Sequence, residues 1–137
     1  MNNVFVLDAC ALLAVVRNEV GADIVSKVYV DTVNEKAQLL INRINLLEVY
    51  YDFYRYKGNE YADNFVLQIE QSAIQICEFD ASLFPIAGRL KAQHKISLAD
   101  SIALAQAIKT QGALLTCDHH EFDVIEGKEP VQFYWIR

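Results

Sequence analysis

The chain has 137 residues, of which 53% are hydrophobic and 22% charged. That is enough apolar material for one domain, residues 1–137, with a real core, which excludes disorder; no apolar run approaches the roughly 20 residues that cross a bilayer. A net charge of -6 and a pI of about 4.9 argue against a general nucleic-acid binder, which is usually basic, unless several acids are metal ligands, since bound cations reverse the local field.

The first element is a strand of four apolar residues, Val4 to Leu7, that runs into Asp8. Helical sequence follows from Ala9 to Arg17 with almost no turn. A continuous apolar strand flowing into a helix predicts a central parallel strand. In such sheets the chemistry lies beyond the carboxyl ends of the strands, where Asp8 stands. After a break at 18–21, helical spacing resumes over 22–33. Gln38 to Ile41 reads as a strand. Asn45 is placed as the cap of a helix over 46–56 that stops near Gly58, and 60–71 is helical. Ala73 to Phe79 alternates like a strand. Asp80 caps a helix to about Gln93, with Pro85 tolerated in its first turn. Ser97 opens a helix over 98–109; strands follow at 113–117 and 131–136. Strands separated by helices predict right-handed crossovers and a parallel sheet of about five strands covered on both faces.

Four acids mark this pattern. Asp8 follows a strand and can cap the next helix. Glu48 is three residues after Asn45, close to a capping box. Asp100 is three residues after Ser97, where a carboxylate favours the helix dipole. Asp118 ends the strand at 113–117, and Thr116, two residues earlier on extended chain, faces the same way. Each position has a purely structural explanation, yet in a parallel α/β sheet all four lie on one rim. Clustered carboxylates raise one another's pKa values, and hard oxygen ligands select Mg²⁺ or Mn²⁺.

Other residues read more plainly. Cys10, Cys77 and Cys117 are far apart in apolar runs and are expected as reduced, buried thiols. Nothing at the N-terminus marks secretion. His119 and His120 are adjacent and share no helix face, so a solvated turn is expected. Asp123 is expected in a polar loop. Tyr50, Tyr51, Phe53, Tyr54 and Tyr56 crowd one helix; they cannot all point inward, so Tyr50, Tyr51, Tyr54 and Tyr56 are candidates for a protein interface. Arg89, Lys91 and Lys95, with His94, form the most basic stretch and are candidate RNA-backbone contacts.

Val6-Leu7-Asp8-Ala9-Cys10-Ala11-Leu12-Leu13, Asn45-Leu46-Leu47-Glu48-Val49, Leu98-Ala99-Asp100-Ser101-Ile102-Ala103-Leu104-Ala105 and Leu114-Leu115-Thr116-Cys117-Asp118 resemble, in order, the four acidic blocks of PIN-domain ribonucleases, and most nearly those of the VapC-type toxins of VapBC toxin–antitoxin pairs. The resemblance covers nearly the whole chain. It implies a three-layer α/β/α fold and an Mg²⁺- or Mn²⁺-dependent endoribonuclease. The metal-site acids would be Asp8, Glu48, Asp100 and Asp118, with Thr116 as the supporting hydroxyl. It also implies an antitoxin partner, a homodimer and a bacterial or archaeal cytoplasm. Ala9 and Cys10 stand where that family often has Thr, Ser or Asn, so a supporting hydrogen bond would be missing. Two rival readings follow from the same layout. One is a catalytically silent PIN-like interaction module. The other is a phosphoacceptor receiver domain, which would want an acidic pair at the first strand.

Overall fold

A computed structural model describes residues 3–137. The described residues form β1 (Val4–Leu7), α1 (Ala9–Val16), α2 (Ala22–Val33), β2 (Gln38–Asn42), α3 (Arg43–Lys57), α4 (Asn59–Glu70) and β3 (Gln75–Cys77). They continue with α5 (Phe84–Gln93), α6 (Leu98–Thr110), β4 (Ala113–Thr116), α7 (His119–Phe122) and β5 (Gln132–Trp135). The sheet order is β3-β2-β1-β4-β5, and every pairing is parallel. The expected α/β/α sandwich with β1 at its centre is what the chain builds.

Strict alternation along the strands makes the two cores. Leu7, Leu39, Ile41 and Leu115 face one way, into a core with Leu12, Val25, Phe53 and Phe65. Val6, Leu40 and Leu114 face the other, against Leu83, Leu90, Leu104, Phe122 and Phe133. Side chains that alternate across a strand and are apolar on both sides require cover on both faces. The cover on the second face is mainly α6, whose residues Ser101 to Ala107 are all buried. Four small residues in that run, Ser101, Ala103, Ala105 and Ala107, let the helix lie close to the sheet. Two glycines mark other close approaches. Gly21 has φ +99, and a Cβ there would meet the Ile136 carbonyl oxygen at 2.6 Å. A Cβ on Gly112 would meet the Val4 carbonyl oxygen at 2.9 Å.

Some boundaries differ from the sequence expectation. Asn45 does not cap α3. β2 runs one residue further, and Asn42 caps the helix, its Oδ1 accepting from the Ile44 N–H at 3.0 Å. Asn42 also donates from Nδ2 to Gln106 Oε1 at 3.0 Å, a buried tie between β2 and α6. Glu48 therefore lies in the second turn of α3, and the capping box does not form. Asp80 caps a turn before α5 rather than the helix itself, with Oδ1 accepting from the N–H groups of Ser82 and Leu83. β3 is three residues long, because β2 turns into α3 at Asn42 and leaves nothing further to pair with.

Candidate functional site

β1 and β4 are neighbours, with Leu7 opposite Leu115, so Asp8 and the residues after Leu115 emerge together at the carboxyl end of the sheet. β1 leads to β2 through α1 and α2 on one face, whereas β4 on its other side is reached from β3 through α5 and α6 on the opposite face. The gap between β1 and β4 is therefore the switch point at which open α/β sheets bind ligands. Asp8 is 1% exposed. Its Oδ1 accepts from the Ala11 N–H at 2.8 Å, so it does cap α1. Its other oxygen accepts from the Thr116 hydroxyl. Thr116, wholly buried, also accepts from the Asp118 N–H at 3.0 Å. One hydroxyl thus links the first acid to the last.

Burial pushes the Asp8 carboxyl up to about 7; the bonds from Thr116 and Ala11 pull it down, and the charges of Asp100 and Asp118 push it further up. Asp100 also rises to about 7. Burial leads, the Ser97 bond opposes it, and Asp118, Glu48 and Glu121 add to it. Glu48 is raised by burial and by Asp118, against a hydrogen bond from Asn45. Asp8, Glu48 and Asp100 therefore each sense the charge of Asp118. Ser97 Oγ accepts from the Asp100 N–H at 3.1 Å and caps α6, as its sequence position predicts. Asp118 caps the short α7 through the Glu121 N–H at 3.2 Å.

Sequence reasoning missed two features. Asn45 is fully buried, donates from Nδ2 to the Ala99 carbonyl at 3.0 Å, and has an Oδ1 with no hydrogen-bond partner. A buried oxygen left unpaired is costly unless a ligand meets it. The second feature corrects the cysteine reading. Cys10 and Cys117 are joined in a disulfide across a Cα–Cα distance of 6.1 Å; only Cys77 is free. Their sequence separation of 107 hides a proximity that the β1–β4 pairing creates.

Among the described residues, no three His, Cys, Asp or Glu side chains stand close enough to enclose a metal ion. Mg²⁺ does not require such a cage: it keeps several waters and takes one or two carboxylates plus substrate oxygens. Acids that raise one another's carboxyls, with the unpaired Asn45 oxygen, supply the hard oxygen donors that such an ion takes.

The remaining candidates are placed differently. Arg89 is held by Glu129 in a two-pronged pair at 3.1 and 2.9 Å, and His94 Nε2 lies 2.7 Å from the same carboxylate. Lys91 and Lys95 are exposed. On α3, Tyr50 donates to Asp63 at 2.7 Å, while Tyr51, Tyr54 and Tyr56 are 48%, 52% and 70% exposed. His119 is not in a solvated turn but in α7, its ring stacked on Trp135.

The same architecture recurs in solved structures. A chain of VapBC2 from Rickettsia felis, bound to a DNA fragment from its promoter, has a TM-score of 0.75 at 19% identity, covering 96% of this chain and 98% of that one. DNA-bound VapBC from Salmonella typhimurium gives 0.76 at 16%, with both chains covered completely. VapC20 from Mycobacterium tuberculosis, described as a sarcin-ricin loop cleaving toxin, gives 0.65 at 13%, covering 90% and 95%. No curated protein matches the sequence. At such identities the likeness is one of fold. The sequence itself matches the PIN domain family over residues 5–128, from within β1 to beyond α7. That span contains all four acids and Thr116, and it makes this chain a member of the PIN domain family.

Proposed function

We propose that this protein is an Mg²⁺- or Mn²⁺-dependent endoribonuclease and the toxin of a type II toxin–antitoxin pair, working in the cytoplasm. The observation that carries the reading is Asp8. A carboxylate 1% exposed at the switch point of the sheet, raised to about 7 and facing the charges of Asp100 and Asp118, is poorly explained as a helix cap alone. A surface-exposed Asp would cap α1 without the desolvation cost. Relatives in fold that are named as VapBC, and one named as a sarcin-ricin loop cleaving toxin, support the same reading.

Asp8, Glu48, Asp100 and Asp118 would hold the ion. When bound, a divalent metal supplies positive charge at the scissile phosphate and lowers the pKa of a coordinated water. The protein's part is orientation. The Ala11 N–H and the Thr116 hydroxyl fix both Asp8 oxygens, and Thr116 fixes the start of the Asp118 segment. α6, buried along Ser101 to Ala107, anchors Asp100 rigidly. No side-chain nucleophile is required. Lys91 and Lys95 remain candidates for phosphate contact; Arg89 would first have to leave Glu129. The exposed tyrosines of α3 are the surface we assign to a second copy or to the antitoxin. In a reducing cytoplasm the Cys10–Cys117 bond would form only under oxidation.

The test is cleavage of RNA by the purified chain. Wild type should cut with Mg²⁺ or Mn²⁺ and stop with EDTA. Asp100→Asn should lose activity on the order of 100-fold or more, about 2.7 kcal/mol of barrier, with an unchanged circular dichroism spectrum. Cleavage that survives EDTA, or a fully active Asp100→Asn, would overturn the assignment. A well-folded wild type that never cuts RNA would favour the silent interaction module.

A further inference from the structure

Beside the acids stands a group of rings with no role in the site described above. β4 and β5 pair with Thr116 opposite Trp135, so Trp135 lies one strand over from the hydroxyl that holds Asp8. Phe133, two residues earlier and therefore on the same face of β5, stacks on Trp135 at 5.4 Å between centroids and 15° between planes. On Trp135 lies His119, the residue directly after Asp118, at 3.9 Å and 10°. Exposure rises outward along the stack: Phe133 is buried, Trp135 half-buried, His119 exposed.

The outer ring is clamped at both edges. His119 Nδ1 is 2.8 Å from an Asp123 carboxylate oxygen, and Nε2 is 2.8 Å from the Arg137 carbonyl oxygen. The Trp135 indole N–H donates to Glu126 at 3.1 Å. The His119 side chain is 49% exposed, although one ring face lies on the indole and both nitrogens are engaged. The ring is flat, held at both nitrogens and half open to solvent, and it directly follows Asp118 in the chain. Packing alone calls for buried rings, as Phe122 and Phe133 are; it gives no reason to fix a half-exposed ring at both nitrogens.

We propose that the His119–Trp135 stack is a platform on which one nucleobase of a single-stranded RNA stacks, placing the adjoining phosphate at the acids. The proposal rests on the ribonuclease reading. Proteins that bind single strands seat bases on aromatic faces in this way, with little sequence preference because every base has a π-face.

Trp135 is the single tryptophan of the chain, so its emission reports this site alone. The probe is a pool of randomised single-stranded oligoribonucleotides with Ca²⁺ replacing Mg²⁺ to hold back cleavage. The control is an abasic ribose-phosphate oligomer of equal length. The base-bearing pool should quench Trp135 and the abasic oligomer should not. His119→Ala should weaken binding roughly 5- to 150-fold and raise KM far more than it lowers kcat. His119→Phe, which keeps a flat ring, should restore most of the loss. If wild type cuts RNA but both oligomers bind alike, or if His119→Ala binds as wild type does, the platform is wrong and the ribonuclease reading stands. If wild type neither binds nor cuts RNA with Mg²⁺ or Mn²⁺, both fall together.

Discussion

Asp8 carries two jobs whose demands conflict. As a helix cap it needs only an oxygen toward the Ala11 N–H; as a candidate ligand it needs its charge, which burial disfavours. Its carboxyl moves from an ordinary 3.8 to about 7. Between those values the folded protein binds a proton that the unfolded chain has released, so stability falls as pH rises from about 4 to about 7 and is level above. The slope for one such group is at most about 1.4 kcal/mol per pH unit. Asn in place of Asp8 keeps the capping oxygen and removes the charge. We expect metal-free Asp8→Asn to be more stable than wild type at pH 8 and no more stable at pH 4, where Asp8 is already neutral. Mn²⁺ should raise the wild-type midpoint at pH 8 and raise that of Asp8→Asn less, because only wild type has a charge to neutralise. Urea titrations at both pH values would show it; equal metal shifts would remove Asp8 from the site. The sequence made this residue legible, since an apolar strand ending on a carboxylate is a local pattern. Asn45 was not legible. Asn42 and Asn45 offer the same local chemistry for capping α3, and only the length of β2, whose last residue Asn42 pairs with Cys77 of β3, decides between them.

At the scale of elements, α3 shows what periodicity reads and what it leaves open. Leu46, Val49 and Phe53 repeat at helical spacing and are buried. Phe53 meets Phe65 of α4 edge-on at 4.9 Å. Leu47, Tyr51 and Tyr54 repeat at the same spacing on another face and are exposed, so the apolar pattern is wider than one core needs. The surplus was countable in the sequence; which tyrosines it comprises was not, because Tyr50 has a partner inside the chain in Asp63. We expect the double variant Tyr51→Ser, Tyr54→Ser to lose self-association or antitoxin binding while its stability changes by about 0.5 kcal/mol or less, as for a surface site. Sedimentation of the chain alone and with its antitoxin would decide; unchanged assembly in both would clear this face of an interface role. Arg89, like Tyr50, has an intrachain partner that the sequence does not show. A cationic stretch in sequence does not reveal that Glu129, forty residues on, already holds one of its members.

Across the whole molecule, the order β3-β2-β1-β4-β5 brings residues distant in sequence to one rim, and Cys10 with Cys117 is its plainest consequence. Neither spacing nor composition pointed to that pair; cysteines far apart in apolar runs argued for free thiols. The parallel register of Leu7 with Leu115 is what sets the first turn of α1 against the segment after β4, at a Cα separation within bonding reach. The bond spans a sequence separation of 107, and closing a loop of about 100 residues removes up to about 4.7 kcal/mol of unfolded-chain entropy in the loop-closure account. That is a large fraction of the 5–15 kcal/mol by which domains of this kind are stable. The oxidised protein should therefore melt well above the protein treated with dithiothreitol. Cys10→Ser should melt like the reduced form and be indifferent to the reductant. Cys77→Ser should keep the full difference, since Cys77 is the free thiol. Free-thiol titration of the unfolded protein would give one thiol before reduction and three after it. Melting curves that superpose with and without reductant, together with three thiols from the start, would show that Cys10 and Cys117 stand side by side without being joined.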